Sequence, residues 1–240
     1  ANVCECLGLP MSRLRSMTPK VGAGFGNKME AHIQPLCVAL ALASKRPVKM
    51  ILSREEDFET VRARHPFKVR CKTGVMNDGT FVAREVELLV DGGAFADDSP
   101  GVLGNAALMS MGPYHFPNAK AFGKVAYTNH LRFAAFRGFG NPQGTFAGEA
   151  QLDEIADKLG IDPIDLRIKN VLDKGQKWFG GQKVDSNGLQ ECLEKVRASS
   201  DWDNRRKNSG DNGIGVSAAG HISGLLATGA IVRMLEDGTF

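Results

Sequence analysis

The segment that most constrains this chain is AAFRGFGNPQ, residues 134–143, which sets one arginine between two phenylalanines just before an amphipathic stretch. Gly138 and Gly140 permit positive φ angles and close backbone approach, and Pro142 ends the segment with a fixed φ. Residues 144–159 repeat apolar side chains at helical spacing and predict a helix. The N-terminus of that helix would open where the loop ends, so an anion could bind there.

A second glycine-rich loop, VGAGFGNK at residues 21–28, also precedes apolar residues at helical spacing. Asn27 and Glu30 have the form of an N-cap with its capping-box partner, which predicts a helix from Asn27 to Ser44. The loop does not fit a Rossmann dinucleotide site, because Asn27 stands where the third glycine belongs. It does not fit a Walker loop either, since Lys28 is followed by Met29 instead of Ser or Thr.

Composition limits the function classes. Hydrophobic residues make up 42% of the 240 residues, enough for a core, and the net charge is only +3 with acids and bases interleaved. This pattern indicates neither a nucleic-acid partner nor a membrane span. The five cysteines are odd in number and contain no C-x-x-C motif. They favour a reducing cytosol and predict no disulfide framework, zinc site or iron–sulfur cluster in this chain.

The remaining patterns predict strands and helices that alternate without a regular βαβ repeat, which favours an α+β fold of mixed sheets and packed helices. Residues 67–76 and 80–90 predict a hairpin about Asn77-Asp78-Gly79. The other predicted elements are a helix end at 1–7, strands at 13–17, 48–52 and 121–128, helices at 162–171 and 188–198, a weakly patterned stretch at 92–112 and a polar linker at 199–213. The acids Glu55-Glu56-Asp57 are interpreted as a solvated helix start.

The two loops, GAGFGNK and AFRGFGNPQ, strongly resemble the glycine-rich signatures of the molybdenum-binding subunit of the xanthine dehydrogenase and aldehyde oxidase family, the molybdenum hydroxylases. The resemblance runs over nearly the whole chain, and both loops occur in family order. Further matching stretches lie at residues 7–10, 47–49, 53–57, 64–67, 114–118, 162–163, 166–167 and 170.

The resemblance implies an oxidoreductase that uses a molybdenum–molybdopterin cofactor, whether plain or in a dinucleotide form, to hydroxylate an electron-poor carbon with oxygen from water. Electrons would leave to iron–sulfur clusters and FAD on other domains or subunits. The implied cofactor-binding residues are Gly24, Phe25, Gly26, Arg137 and Gly138. Phe139 would stack on a planar substrate.

The family's catalytic glutamate and the loops for the cofactor's pyrophosphate end would lie beyond Phe240, and a glutamine loop would precede Ala1. No catalytic or metal-ligating residue is therefore assigned here, and this chain alone is expected to be inactive. Residues 1–212 are assigned to an N-terminally truncated first molybdopterin-binding domain, and 213–240 to the beginning of the second. Glu236-Asp237-Gly238-Thr239 predicts a hairpin turn whose second arm is missing, so the chain is interpreted as a fragment or a split subunit. A natural end at Phe240 is the alternative.

More ordinary interpretations of the site residues stay open. Phe25 and Phe139 could be core aromatics, and Arg137 a surface arginine or C-cap. Lys28 is expected to be solvated. His65 is expected to make structural hydrogen bonds rather than to bind a metal.

In xanthine-oxidising members that resemble the mammalian enzymes, a glutamate follows the lysine of the first loop, and an arginine lies nine residues before the tyrosine of Y-x-x-P-N. Here these positions hold Met29 and Asn105, with Glu30 one residue from the first. The substrate is therefore expected to be an N-heterocycle or an aldehyde other than xanthine. A non-catalytic assembly subunit with the same fold is the alternative function, and a nucleotide-binding module a third.

Overall fold

A computed structural model describes residues 2–208, 210, 212–222, 229 and 231–239. It combines helices with one three-stranded sheet, so the predicted α+β fold is confirmed. The elements in chain order are α1 (Asn2–Leu7), a 3-10 turn (Met11–Arg13), α2 (Gln34–Ser44), α3 (Arg54–Thr60), β1 (Phe67–Val75), β2 (Phe81–Gly93), α4 (Ser99–Met109), β3 (Asn118–Tyr127), α5 (Asn141–Leu159), α6 (Pro163–Asn170), α7 (Leu189–Ser199) and α8 (Trp202–Lys207).

The sheet has β2 at its centre. β1 pairs with β2 antiparallel, with Phe67 opposite Val90, and β2 pairs with β3 parallel, with Val86 opposite Ala121. The predicted hairpin and the strand that follows it are thus confirmed within a few residues. Buried and exposed side chains alternate along most of β2, because successive residues of a strand point to opposite faces. One face of the sheet therefore packs on the helices.

Helices α4 and α5 pack closely against each other beside this sheet. Gly144 makes the approach possible, because a Cβ at this residue would lie 2.4 Å from the Ala106 carbonyl oxygen. The buried apolar residues form three clusters. They are Phe81, Tyr114, Leu152, Ala156, Leu166 and Ala218; Val86, Leu88, Ala106 and Met111; and Ile164, Leu193 and Trp202.

Two helix predictions need correction. The predicted helix at Asn27 begins instead at Gln34, with Pro35 in its first turn, where the missing N–H of proline costs least. Glu30 does not cap Asn27, because its carboxylate pairs with the buried guanidinium of Arg62. The helix of residues 144–159 begins three residues earlier, at Asn141, so that Pro142 lies within its first turn instead of ending a loop.

The stretch at residues 92–112 contains α4, which the sequence did not predict. The buried residues of α4 lie on one face, but the exposed residues opposite them are Pro100, Gly101 and Gly104, so no charged side chains mark an amphipathic period. The strands predicted at 13–17 and 48–52 are absent, as neither segment has a pairing partner among the described residues. The polar linker is interrupted by α8, whose Trp202 is buried.

Other local predictions are confirmed. The acids Glu55-Glu56-Asp57 lie in the first turn of α3, as predicted, and the structure adds a capping box of Ser53 and Glu56 that the sequence did not predict. Asp162 caps α6 by accepting a hydrogen bond from the Ile164 N–H at 2.8 Å. The predicted turn near the end is present, with the Leu235 N–H bonded to the Thr239 carbonyl, but residues 231–235 form no strand. No helix of the described residues is long and apolar enough to cross a membrane.

Candidate functional site

The two glycine-rich loops meet in space. The Arg137 N–H donates to the Phe25 carbonyl oxygen at 3.1 Å, and the Arg137 guanidinium lies 4.3 Å from the centre of the Phe25 ring. A cation over an aromatic face is attracted by the ring's quadrupole. Four of the predicted site residues, Phe25, Gly26, Arg137 and Gly138, therefore lie at one junction.

Gly26 allows this contact. Its φ of +102° lies in the left-handed region, and a Cβ there would fall 2.1 Å from the Ala135 carbonyl oxygen. Any side chain would force the two loops apart. Gly24, the remaining predicted cofactor residue, lies in the same loop, where a Cβ would make ordinary contact with Lys28 at 3.6 Å.

The junction presents donors suited to an anionic ligand. The backbone N–H groups of Phe25, Gly26 and Gly138 bond to no acceptor within the part of the chain that is described. Arg137 is exposed and forms no ion pair with any described carboxylate. Because free N–H groups and an unpaired cation favour negatively charged oxygens, these residues fit the phosphate and metal–oxygen groups of a molybdopterin.

Phe25 and Phe139 are not core aromatics. The Phe25 side chain is 53% exposed, and Phe139 is partly exposed with its ring edge against Gly101 of α4. Both have positive φ, 53° and 49°, which is uncommon for phenylalanine and marks a constrained loop. Asn105 supports the second loop, since its side-chain amide donates to the Phe139 carbonyl at 2.7 Å.

Beneath the junction lies a group of charged side chains that the sequence did not reveal. The Arg62 side chain is 0% exposed and pairs with Glu30 at 2.6 Å and with Asp98 at 3.1 Å. Arg132 approaches Asp97 at 3.3 Å. Desolvation, followed by the neighbouring Glu30, raises the pKa of Asp97. Glu30, Asp97 and Asp98 are close enough to share a metal ion, but the guanidinium groups already balance much of their charge.

Two residues of the R-H-P stretch also support the site. Arg64 donates to the Arg137 carbonyl at 2.6 Å and stacks on Phe136 at 4.7 Å. His65 is buried and bonds to the Ser99 hydroxyl at 2.8 Å, so its predicted structural hydrogen bond is confirmed. Burial lowers the pKa of His65, although nearby aspartates oppose the shift. The family-like stretch at residues 64–67 was the sequence signal that marked these two residues.

Lys28, at the end of the first loop, and the next residue, Met29, both lie at the surface. Lys28 is exposed, as predicted, and its ammonium group contacts the Ala23 carbonyl of its own loop. Met29 is 62% exposed and offers no polar group. All five cysteines are free thiols.

The comparisons with known proteins agree on one family. The family model described as the molybdopterin cofactor-binding domain matches residues 1–171. The large molybdopterin subunit of nicotinate dehydrogenase from Eubacterium barkeri is 42% identical over 196 residues, which cover 81% of this chain and 46% of that protein. The xanthine dehydrogenase molybdenum-binding subunit of Escherichia coli O157:H7 is 37% identical, covering 99% of this chain and 33% of that protein.

Similar solved structures belong to the same family. Aldehyde oxidoreductase from Desulfovibrio gigas matches with a TM-score of 0.73 and 30% identity, over 78% of this chain and 21% of that one. Quinoline 2-oxidoreductase from Pseudomonas putida 86 matches with a TM-score of 0.77 and 26% identity, over 88% of this chain and 28% of that one. The chain thus spans less than half the length of these relatives. It belongs to the molybdopterin-binding family of molybdenum hydroxylases, together with the xanthine dehydrogenases and aldehyde oxidoreductases.

Proposed function

We propose that this chain is the cofactor-binding part of an oxidoreductase that hydroxylates an electron-poor carbon of an N-heterocycle or an aldehyde, with oxygen derived from water. The observation that carries the proposal is the junction of the two loops, where Arg137 stacks on Phe25 and three backbone N–H groups have no acceptor among the described residues. The names of similar proteins, nicotinate dehydrogenase, quinoline 2-oxidoreductase and aldehyde oxidoreductase, support this substrate class.

Each residue has a role that follows from its chemistry. The N–H groups of Phe25, Gly26 and Gly138 donate hydrogen bonds to cofactor oxygens, Gly24 lets the first loop lie close to the cofactor, and Arg137 offsets negative charge. When bound, a molybdenum–molybdopterin group supplies an activated oxygen nucleophile and accepts two electrons. Phe139 offers a ring face on which a planar substrate can stack.

The rest of the enzyme completes the reaction. We place the catalytic glutamate in a part of the subunit outside these 240 residues, and the iron–sulfur and FAD centres on other domains or subunits. We retain residues 1–212 as the first molybdopterin-binding domain and 213–240 as the beginning of the second. Free thiols at all five cysteines suit a reducing cytosol, where we place the enzyme.

We further propose that the substrate is not xanthine. Met29 presents no polar group, and the Asn105 amide is already bonded to the second loop. Glu30 does not replace the glutamate expected at position 29, because its carboxylate pairs with Arg62. Without polar partners at these two positions, a site loses the hydrogen bonds that select a purine, a loss that can reach several orders of magnitude in discrimination.

The experiment is metal analysis and steady-state kinetics of the complete enzyme, with and without substitutions at the junction. We expect about one molybdenum per copy of the subunit. Arg137→Ala should lower molybdenum content or turnover, whereas Phe139→Ala should chiefly raise KM or lower turnover through misplaced substrate, by on the order of 100-fold for a shift of about 1 Å. Arg205→Ala, in the exposed part of α8, is the matched control and should behave as wild type.

The outcomes are distinct. Complete enzyme without molybdenum would overturn the proposed function and favour a non-catalytic assembly subunit, and ATP or NAD binding in its place would favour a nucleotide-binding module. Wild-type kinetics in both junction variants would show that Arg137 and Phe139 have no role in cofactor binding or substrate positioning. A clear preference for xanthine over nicotinate, hypoxanthine and aromatic aldehydes would overturn the substrate proposal.

A further inference from the structure

Arg62 lies beneath the site and contacts the first loop at two points. Its Nη1 approaches the Gly26 carbonyl oxygen at 3.5 Å, and its Nη2 lies 2.6 Å from the Glu30 carboxylate. Because the side chain is fully buried, these interactions are screened little by water. A guanidinium is also planar and rigid, and this fixes the direction of each donor.

Asp98 connects the same guanidinium to the second loop. Its Oδ2 accepts from Arg62 Nη1 at 3.1 Å and from the Ala135 N–H at 3.3 Å. Asp98 stands at the N-cap position of α4, but its side chain makes no capping hydrogen bond. The carboxylate is therefore used for the loops and not for the helix.

We infer that Arg62 and Asp98 are positioning residues, which hold the two loops of the molybdopterin site in register through the continuous path from the Gly26 carbonyl through Arg62 and Asp98 to the Ala135 N–H. This inference rests on the proposed function for its catalytic consequence, but the bridge itself is a property of the fold. Arg62 and Asp98 act through Gly26, which is adjacent to Phe25, and through Ala135, which lies two residues before Arg137.

The bridge predicts that loss of the Asp98 carboxylate disturbs the first loop, to which Asp98 is joined by hydrogen bonds through Arg62. Removing the Asp98 carboxylate leaves the buried Ala135 N–H without its acceptor. It also removes one of the carboxylates that pair with the Arg62 guanidinium. A role for Asp98 confined to Ala135 would disturb residues 133–139 more than residues 21–30, which it would reach through the direct Phe25–Arg137 contact.

The test uses hydrogen exchange by mass spectrometry on the complete enzyme. In Asp98→Ala, peptides covering residues 21–30 and 133–139 should both exchange at least roughly tenfold faster than in wild type. Asp98→Asn keeps an oxygen acceptor without the charge and should restore much of the protection. Faster exchange confined to residues 133–139, or none, would overturn the bridge whether or not the enzyme holds molybdenum.

Kinetics then test the catalytic consequence. Turnover per molybdenum should fall on the order of 100-fold in Asp98→Ala, if the loops shift by about 1 Å, and less in Asp98→Asn. Glu149→Gln is the matched control, because it disrupts another buried pair, Glu149 with Arg167 at 2.9 Å, away from both loops. It should lower thermal stability but keep turnover per molybdenum within about twofold of wild type. Wild-type turnover per molybdenum in Asp98→Ala would overturn the positioning role.

Discussion

Residues 2–60 and residues 61–208 differ sharply in how they are packed. Among residues 2–60 only Cys4 is buried, and α2 exposes Leu36, Leu40 and Leu42 by about half. All three buried clusters are formed by residues from Phe81 onward. Yet each region supplies one loop of the candidate site. The comparison teaches that the first loop owes its position to contacts with the second region, such as Gly26 against Ala135 and Glu30 with Arg62.

The largest expected effect is on the free energy of unfolding, and it compares a leucine of the second region with a leucine of the first. Leu152→Ala should cost about 3–4 kcal/mol of unfolding free energy, because Leu152 is fully buried in the largest apolar cluster. Leu40→Ala should cost less than about 1 kcal/mol, since Leu40 is 52% exposed on a helix that tolerates alanine. Urea unfolding of both variants measures the difference.

Urea unfolding also tests whether the two regions unfold separately. Trp178 and Trp202 both lie in the second region, so tryptophan fluorescence reports on that region, whereas far-ultraviolet circular dichroism reports on helices of both. We expect the circular dichroism signal to decline at lower urea concentration than the fluorescence. Coincident transitions, or equal losses for the two leucine variants, would show that the regions unfold as one cooperative unit.

A smaller effect comes from two N-caps. Asp162→Ala should cost about 2 kcal/mol, because the carboxylate caps Ile164 and also accepts from the Trp202 indole at 2.9 Å. Ser53→Ala, at the exposed start of α3, should cost about 0.5 kcal/mol. Fluorescence-detected urea midpoints should shift for Asp162→Ala and hardly at all for Ser53→Ala. A larger shift for Ser53→Ala would mean that α3 is part of the cooperative core.

The smallest effect concerns pH. Burial lowers the pKa of His65, so below about 6.5, the ordinary pKa of histidine, the unfolded chain binds more protons than the folded chain. Stability should therefore fall as pH decreases from 6.5 towards the folded-state pKa, by at most about 1.4 kcal/mol per pH unit. Urea unfolding of wild type and His65→Gln between pH 7.5 and 5.5 checks this. An unchanged pH slope in His65→Gln would exclude His65 as the source.

Sequence patterns predicted the second region better than the first. The hairpin at Asn77-Asp78-Gly79 and the cap at Asp162 were predictable, because each depends on neighbours in the chain. The strand at residues 48–52 was predicted wrongly, because a strand also needs a partner that local sequence does not show. The α4 helix was missed since its exposed face carries proline and glycine and no charged residue, so the sequence shows no amphipathic period.

The candidate site was predictable only in part. The family motifs named Phe25 and Arg137, and their positions in two distant loops gave no sign that one would stack on the other. Arg62 and Asp98 carry no motif that distinguishes them from surface charges. Their role depends on burial and on the distances between three separate segments, which exist only in the folded chain.

The contact between the Phe25 and Arg137 loops also sets an order of events during synthesis. The two loops lie more than a hundred residues apart, and at about 5–20 residues per second the ribosome needs on the order of 5–20 s to make the intervening chain. During that interval the first loop lacks its contacts with Ala135 and Arg137, although Arg62, which bonds to Gly26, is made much sooner. The junction of the two loops can therefore form only after residue 137 has been synthesised, and the first loop stays without those contacts until then.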